Sequence, residues 1–320
     1  MAERLRFGQF NIRDLTMEKL RDPGNRQAAA AAKIIKKFSP DVLSIDEMEA
    51  DPGAPAAFIE NFLMKGEDAA DYPFFYVGQT NSGIQTGLPY PYDYKGFGRF
   101  RGQYGIALLS RQEIDYEGII NLKDFHWRSL AESYLQAAGS QSIECPEDFP
   151  LWSTAFLDIP IKIGSEGGHA LHAVLLHPTV PMKDYINPWR NADQLVFLKN
   201  HIDGLAMKNG GGLPFVVMGD LNADPDSGIG IAEAAKRLFW DENIICRKTD
   251  QNTFLEGGGV EPPMEENPAL LQARLDYILP SSRHFKLNGP FVFAPRGTSW
   301  WPVARRASDH FFVYADCEFI

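Results

Sequence analysis

The segment Val217-Met-Gly-Asp-Leu-Asn-Ala223 carries the clearest chemical signal in the sequence. Its apolar, strand-like part ends at Gly219, and the polar residues Asp220 and Asn222 follow. Because alternate residues of an extended chain point the same way, these two side chains can face one pocket. A carboxylate beside an amide suits the orientation of a water molecule next to a metal-bound phosphate. The alternative is an Asx-turn, in which both residues only cap the loop before Pro225.

A second segment, Ala307-Ser-Asp-His-Phe-Phe312, precedes the last strand-like run of the chain. Neighbouring residues of a regular strand point to opposite faces, so a bend must present both Asp309 and His310 to one site. A carboxylate suits a hard metal ion, and an imidazole suits proton transfer near neutral pH. An isolated Asp-His pair is more typical of a surface.

Three further segments carry titratable groups either at the end of a predicted buried strand or within one. Asp46 and Glu47 close one segment, His177 ends another, and Asp276 lies inside a third. Burying an unpaired carboxylate costs free energy, so we expect a cation beside these acids. The alternatives are a loop that starts at Asp46 and leaves both acids solvated, and a core role for His177.

Alternating helix and strand patterns supply the elements that must position these groups. The spacing predicts strands over 5–12, 42–45, 105–109, 114–122, 155–163, 170–176, 215–218, 275–279 and 311–316. It predicts helices over 25–38, 54–64, 188–205 and 229–239, and a long ordered loop over 89–102. No linker or repeat interrupts them, so we expect one α/β domain with two sheets over residues 1–320.

Composition and charge narrow the function classes. The net charge of −11 counts against tight nucleic-acid binding, although metal-ligating acids contribute to it. No apolar run reaches the roughly 18 residues of a membrane span, and three cysteines without paired spacing count against a zinc site. We expect a monomer that is cytoplasmic as written, or secreted or periplasmic if a leader preceded it.

The order of the segments resembles the endonuclease/exonuclease/phosphatase superfamily, which includes pancreatic deoxyribonuclease, abasic-site endonucleases, inositol polyphosphate 5-phosphatases and sphingomyelinases. The resemblance covers nearly the whole chain, and Gly-Asp-Leu-Asn followed about 90 residues later by Ser-Asp-His is its most specific part. The matching residues are Asn11 in Gln-Phe-Asn-Ile, Glu47, His177, Gly219-Asp-Leu-Asn-Ala223, Arg274-Leu-Asp-Tyr277 and Ser308-Asp-His310.

The resemblance implies a four-layered α/β sandwich, with two mixed β-sheets packed face to face and helices outside. It implies that Glu47 and Asp309 hold Mg²⁺, or else Mn²⁺ or Ca²⁺, with Asn11 close by. Asp220 and Asn222 would position the attacking water. His310, held by Asp276, would act as a base or electrostatic partner, and His177 would stabilise non-bridging oxygens or protonate the leaving group.

Three arginines are candidate contacts for the phosphate of the substrate. Arg190 starts a predicted helix, and Arg99 and Arg101 lie in the 89–102 loop. Bidentate arginine–phosphate hydrogen bonds favour this role, and a solvated surface position is the alternative.

A narrower resemblance links the chain to bacterial members described as phosphatase- or phytase-like. It rests on Gly96-Phe-Gly-Arg-Phe-Arg-Gly-Gln-Tyr-Gly105, with Phe125-His-Trp127, His177-Pro178 and Arg190-Asn191.

Two departures bear on function. Asp46 stands where a glutamine often precedes the metal-binding glutamate, and Gln103 stands where nucleases place an acid that pairs with a histidine like His177. We therefore favour a phosphoesterase acting on a small or lipid-borne ester. A DNA endonuclease is the first alternative, and a non-catalytic binding protein is the second. Trp300-Trp301 is either a contact loop or internal packing.

Overall fold

Six strands form the first sheet of the computed structural model, which describes residues 4–137, 144–164, 170–181, 186–247, 253 and 273–320. Within this sheet β1 and β2 are parallel, whereas β11, β10, β4 and β3 run antiparallel to their neighbours. In spatial order the strands are β10 (Phe285–Phe293), β11 (Phe312–Phe319), β1 (Arg4–Leu15), β2 (Val42–Met48), β4 (Gly105–Ser110) and β3 (Phe74–Val77).

The second sheet has five described strands and is also mixed. Only β7 and β8 are parallel to one another, and the other pairs are antiparallel. In spatial order the strands are β5 (Ile120–Asn121), β6 (Phe156–Lys162), β7 (Ala170–Leu176), β8 (Phe215–Asp220) and β9 (Asp276–Pro280).

The two sheets face each other across a shared apolar core. Phe7 and Ile106 from the first sheet belong to the same buried cluster as Leu157 and Val216 from the second. Each of these strands presents alternate residues to this core, and the opposite faces are covered by helices. The arrangement confirms the four-layered α/β sandwich.

Helices form the two outer layers. Asn25 caps α2, because its side-chain oxygen accepts hydrogen bonds from the backbone N–H groups of Gln27 and Ala28. The helices are α1 (Met17–Arg21), α2 (Arg26–Phe38), α3 (Ala54–Phe58), α4 (Tyr134–Ala137), α5 (Asn187–Met207), α6 (Ala232–Phe239) and α7 (Trp301–Ala307). Among the described helices, none is both long and apolar enough to cross a lipid bilayer.

Two element predictions need correction. The predicted strand over 114–122 contains a 3₁₀ turn at Tyr116–Gly118, where the Asp115 carbonyl accepts from the Gly118 N–H, and its only named strand is the short β5. The helix predicted over 54–64 is α-helical only to Phe58 and continues as a π-turn over Ile59–Leu63.

Asp158 ties the second sheet to its outer helix. This buried carboxylate on β6 accepts hydrogen bonds from His172 Nδ1 on β7 at 2.7 Å and from His201 Nε2 on α5 at 2.8 Å. Burial alone would raise the pKa of Asp158, but the two imidazole hydrogen bonds outweigh it and lower that pKa to about 2. The ionised carboxylate therefore stabilises the fold.

Replacing Asp158 with asparagine is expected to lower the free energy of unfolding by about 3 kcal/mol at pH 7, because a charge-assisted pair of hydrogen bonds is lost. A group with a depressed carboxyl pKa stabilises the fold above its unfolded pKa near 4 and loses this effect as the pH falls through about 2. Urea unfolding of both proteins should therefore show a difference that persists down to about pH 4 and then shrinks. The exposed Asp148→Asn is the matched control. Equal stability of the wild-type protein and Asp158→Asn at pH 7 would refute this role.

Candidate active site

Strand direction brings the proposed site residues to one edge of the sandwich. β1 and β2 run parallel, as do β7 and β8, so Asn11, Glu47, His177 and Asp220 all lie towards carboxyl ends. β9 and β11 run antiparallel to these strands, so their amino-terminal ends reach the same edge. Those two ends carry Asp276 and the segment Ser308-Asp-His310.

Asp220 is the centre of the site. Its Oδ2 accepts a hydrogen bond from Asn11 Nδ2 at 3.1 Å. The same oxygen lies 3.5 Å from His177 Nε2 and 3.7 Å from His310 Nε2. Three side chains that are separated by up to 299 residues in the chain thus converge on one buried carboxylate oxygen.

Asp276 orients the His310 imidazole. His310 Nδ1 lies 2.7 Å from Asp276 Oδ2, and both residues are buried. The Thr253 hydroxyl accepts the backbone N–H of Asp276 and helps to hold this strand end. Burial alone would lower the pKa of His310, but the charges of Asp276 and Asp220 outweigh it and raise that pKa well above its usual value. The partner that the sequence predicted for the carboxylate in this apolar strand is therefore His310.

A bend before β11 presents both Asp309 and His310, as the sequence required. The Ser308 hydroxyl donates to the Asn11 carbonyl at 2.6 Å and accepts the His310 backbone N–H at 3.1 Å. This double role fixes the bend against β1. Asp309 remains partly exposed, and its Oδ2 lies 3.3 Å from Arg13 Nη1.

Glu47 occupies a strained backbone position at the end of β2. Its φ of +64° lies in the left-handed region, which costs a non-glycine residue about 1–3 kcal/mol. Its two carboxylate oxygens accept hydrogen bonds from Asn11 Nδ2 at 3.2 Å and from the Asp14 backbone N–H at 3.0 Å. Burial, and then the neighbouring charge of Asp309, raise the pKa of Glu47. The charges of Glu47 and Asp309 thus repel each other, which favours a compensating cation near Glu47.

The donor atoms at this place fit a hard divalent cation. Asn11 Oδ1 is buried and has no hydrogen-bond partner in the part of the chain that the structure describes, and it lies beside the Glu47 carboxylate that Asn11 Nδ2 contacts. No set of three His, Cys, Asp or Glu side chains in the described ranges is placed to hold a metal ion. A cation here would rest on two carboxylates, an amide oxygen and water, which is the sparse ligand set that Mg²⁺ accepts.

Asn222 reaches the site by a turn. β8 ends at Asp220, and Asn222 has a φ of +48°, so the two are not alternate residues of one extended chain as the sequence suggested. The Asn222 N–H donates to Asp220 Oδ1 at 3.0 Å, which is the Asx-turn alternative. Asn222 Nδ2 also donates to the Pro178 carbonyl at 3.0 Å. The Asp220-Leu-Asn222 segment thus forms an Asx-turn and also places two polar side chains in the candidate site.

His177 has one imidazole nitrogen without a hydrogen-bond partner. Nε2 faces Asp220, whereas the buried Nδ1 has none among the described residues. Gln103 lies elsewhere, because its amide donates to Asp14 Oδ1 at 2.8 Å and its oxygen accepts from the Arg99 N–H at 2.6 Å. Within the described ranges, no acid therefore pairs with His177 Nδ1 as the resemblance to nucleases would imply. Burial would lower the pKa of His177, but the charges of Asp220, Asp46 and Glu47 raise it.

The structure separates the three candidate arginines. Arg190 is buried, and its guanidinium donates to the carbonyl groups of Leu151, Lys95 and Pro150 at 2.7–2.9 Å. These hydrogen bonds support the surrounding loops, and a contact between Arg190 and the substrate phosphate stays a prediction. Arg99 and Arg101 are exposed, and Arg99 Nη2 lies 2.9 Å from Asp14 Oδ2.

Several residues that build the site were not identified from the sequence. Arg13 contacts Asp309, and Asp14 links Glu47 to Arg99 and Gln103. Both follow Asn11 closely in β1, and this position next to a strand end is the signal that could have identified them. Gln9 also contributes, because its amide donates to Asp46 Oδ2 at 2.6 Å.

Asp46 is a fully buried carboxylate beneath the site. Its Oδ2 also accepts the Asp220 backbone N–H at 2.8 Å, and its Oδ1 has no hydrogen-bond partner among the described residues. Burial raises the pKa of Asp46 to about 7. The solvated loop that was one alternative for Asp46 and Glu47 is therefore wrong, since β2 continues to Met48.

Comparison with known proteins finds one matching family model and several similar folds. The model of the Endonuclease/Exonuclease/phosphatase family matches residues 8–310. No curated relative matches the chain in sequence.

Solved structures share the fold at low sequence identity. An endonuclease/exonuclease/phosphatase from Beutenbergia cavernae is 19% identical, with 99% of this chain and 72% of that chain covered and a TM-score of 0.57. Truncated Caenorhabditis elegans TDP2 is 15% identical over 99% and 98% of the two chains, with a TM-score of 0.59. A Bacteroides thetaiotaomicron family protein is 15% identical over 100% and 99%, with a TM-score of 0.58.

Proposed function

This chain belongs to the endonuclease/exonuclease/phosphatase family, whose members are generally hydrolases of phosphoester bonds, and we propose that it is a Mg²⁺-dependent phosphoesterase acting on a small or lipid-borne ester. The observation that carries the proposal is the convergence of Asn11, His177 and His310 on one oxygen of Asp220, beside the Glu47 carboxylate that Asn11 also contacts. Residues 1–320 would act as a single domain.

Glu47, Asp309 and the Asn11 side-chain oxygen would hold the cation, which Mn²⁺ or Ca²⁺ could replace. When bound, it supplies positive charge to a phosphoryl oxygen and to the leaving group. Glu47 is prepared for this role by its fixed backbone and by the hydrogen bonds to both of its carboxylate oxygens. Such preorganisation avoids a reorganisation cost during the reaction.

Asp220 would orient the attacking water for in-line displacement and accept its proton. The Asn11 amide fixes the orientation of the Asp220 carboxylate. His310 and His177 present Nε2 towards the same oxygen, and their raised pKa values favour the cationic forms. They would therefore stabilise charge on the phosphoryl oxygens, and Asp276 would keep His310 in place.

The remaining candidates would act around this centre. Asn222 holds the loop that carries His177, through its hydrogen bond to the Pro178 carbonyl. Arg99 and Arg101 remain proposed contacts for the substrate phosphate at the exposed rim. Arg13 joins them, because it is partly exposed and lies beside Asp309.

The direct test is hydrolysis of bis-p-nitrophenyl phosphate and phosphorylated polyols by the whole chain with Mg²⁺, Mn²⁺ or Ca²⁺. We expect release of product with Mg²⁺, loss of activity with EDTA and recovery when Mg²⁺ is returned. Nicking of supercoiled plasmid at low salt, with steep salt dependence, would instead favour a DNA endonuclease. No hydrolysis of either kind, together with no Mg²⁺ binding in calorimetry, would favour a non-catalytic binding protein.

A further inference from the structure

Gln9 is a buried amide directly beneath the candidate site. Phe7 and Gln9 are alternate residues of β1, so their side chains point to the same face of the strand. Phe7 packs in the apolar core between the two sheets, and Gln9 therefore enters the same space nearer to the site. The Gln9 side chain is fully buried, and the mechanism proposed above gives it no task.

Three buried carboxylates border the same space. Asp46, Asp220 and Asp276 lie on β2, β8 and β9, each an even number of residues from a residue of the core between the sheets. Alternation therefore points all three side chains into that core. Burying a carboxylate without a hydrogen-bond donor is costly, so a donor among these acids has a large effect on how they are arranged.

The Gln9 amide joins two of these acids. Gln9 Nε2 donates to Asp46 Oδ2 at 2.6 Å and to Asp276 Oδ1 at 3.4 Å. An amide nitrogen carries two hydrogens, so it can serve both acceptors at once. Gln9 Oε1 is buried and accepts no hydrogen bond from the residues that the structure describes. The amide thus connects β2 of the first sheet to β9 of the second through Nε2.

Each of the two acids holds a different part of the site. Asp46 Oδ2 also accepts the backbone N–H of Asp220 at 2.8 Å, which fixes the strand end that carries the central carboxylate. The second oxygen of Asp276, Oδ2, lies 2.7 Å from His310 Nδ1. Gln9 is therefore connected to both groups whose reacting atoms, Asp220 Oδ2 and His310 Nε2, lie 3.7 Å apart.

We propose that Gln9 is a positioning residue, which sets the spacing between the Asp220 carboxylate and the His310 imidazole. It does so by holding Asp46 and Asp276 together beneath them. The spacing of groups that act on one substrate affects the rate of the chemical step strongly. This inference deepens the proposed function and rests on it.

The kinetic test is a double-mutant cycle with His310. Gln9→Met keeps the length of the side chain and removes the amide. We expect kcat for bis-p-nitrophenyl phosphate with Mg²⁺ to fall about 10- to 100-fold and KM to change less than about twofold. In His310→Ala, the same change should lower kcat less than about twofold, because no imidazole remains to be positioned. A purely structural role would lower kcat alike with and without His310.

An NMR measurement tests the same connection without turnover. In metal-free protein labelled with ¹⁵N-histidine, the Nδ1 proton signal of His310 is assigned by its absence from His310→Ala. We expect Gln9→Met to shift this signal, because the Asp276 carboxylate that accepts the proton loses its hydrogen bond from Gln9.

Asp46→Asn breaks the connection from its other end with little change in shape. Its side-chain oxygen can still accept the Asp220 N–H, but its new NH₂ group would turn the Gln9 oxygen towards itself and Gln9 Nε2 away from Asp276. This variant should therefore shift the His310 signal as well. It keeps the proposal testable if Gln9→Met does not fold.

Tyr72→Phe is the matched control. Tyr72 is buried, and its hydroxyl donates to the Pro40 carbonyl at 2.9 Å, before the amino end of β2 and away from the site. The variant loses one buried hydrogen bond with almost no change in shape. We expect it to keep both kcat and the position of the His310 signal.

Two results would overturn the positioning role. One is an unchanged His310 signal in both Gln9→Met and Asp46→Asn, and the other is an equal loss of kcat from Gln9→Met with and without His310. A wild-type protein that hydrolyses no phosphate ester would contradict the proposed function instead. The NMR measurement would still test the connection in that case, so the two failures are distinguishable.

Discussion

Replacing His310 with alanine is expected to lower kcat for a phosphodiester substrate by about 10³-fold or more, with a much smaller change in KM. His310 is buried, its Nδ1 contacts Asp276 at 2.7 Å, and its Nε2 faces Asp220 at 3.7 Å. The variant would lose the positive charge next to the reacting phosphate and would leave the Asp276 carboxylate unpaired. Steady-state kinetics with saturating Mg²⁺ measures the effect.

A matched histidine controls for this substitution. His126 is about half exposed and lies outside the site, so His126→Ala should retain wild-type kcat. Because removing a buried partner also destabilises the fold, thermal unfolding of His310→Ala must show that the protein is folded at the assay temperature. A folded His310→Ala with wild-type turnover would contradict the proposed mechanism.

Replacing Glu47 with glutamine is expected to have opposite effects with and without metal. Burial, and then Asp309, raise the pKa of Glu47, so its ionised form destabilises the fold at any pH above the unfolded pKa near 4.3. In EDTA at neutral pH, Glu47→Gln should therefore unfold at a higher temperature than the wild-type protein. In Mg²⁺ at about 100 times its Kd, only the wild-type protein should gain the stabilisation of about 2.7 kcal/mol that ligand binding provides.

The exposed Glu67→Gln serves as the control for this pair of measurements. It should follow the wild-type protein in both EDTA and Mg²⁺. If Glu47→Gln gained the same stabilisation from Mg²⁺ as the wild-type protein, Glu47 would not be a ligand of the ion. This readout is independent of activity and therefore holds for any substrate.

Much of the fold could be predicted from local patterns. The helix predicted over 25–38 matches α2 with its Asn25 cap, because capping residues and the apolar face of a helix are visible in sequence. β10 was missed, because Gly289-Pro290 interrupts its pattern at a register shift in an edge strand. The predicted strand over 114–122 was wrong, because a turn at Asp115 that depends on Pro160 replaces most of it.

The sequence patterns did not predict helix α7, which begins at the tryptophan pair Trp300-Trp301. Trp300 is its N-cap residue and Pro302 lies in its first turn, where proline is well tolerated. The ring centroids of Trp300 and Phe293 are 5.7 Å apart, and those of Trp301 and Phe311 are 6.0 Å apart. Of the two alternatives for this segment, internal packing accounts for both rings.

The sequence indicated which residues form the candidate site better than it indicated how those residues are arranged. Acids and histidines at strand ends indicated the central groups, since such residues rarely lie in apolar strands without a partner. The left-handed backbone of Glu47 and Asn222 depends on tertiary contacts that no local pattern encodes. The hydrogen bonds from the Arg190 guanidinium to carbonyl groups of distant loops depend on such contacts too. The contacts of Arg13 and Asp14 also depend on tertiary structure.

The most direct test of a cation that Glu47 and Asp309 both bind is a crystal structure of the protein soaked with Mn²⁺. Anomalous scattering would locate the ion. We expect one peak about 2.0–2.3 Å from a carboxylate oxygen of Glu47 and from one of Asp309, with Asn11 Oδ1 beside it. A peak that touches only one of these acids, or that lies elsewhere in the chain, would contradict the proposed metal site and the mechanism built on it.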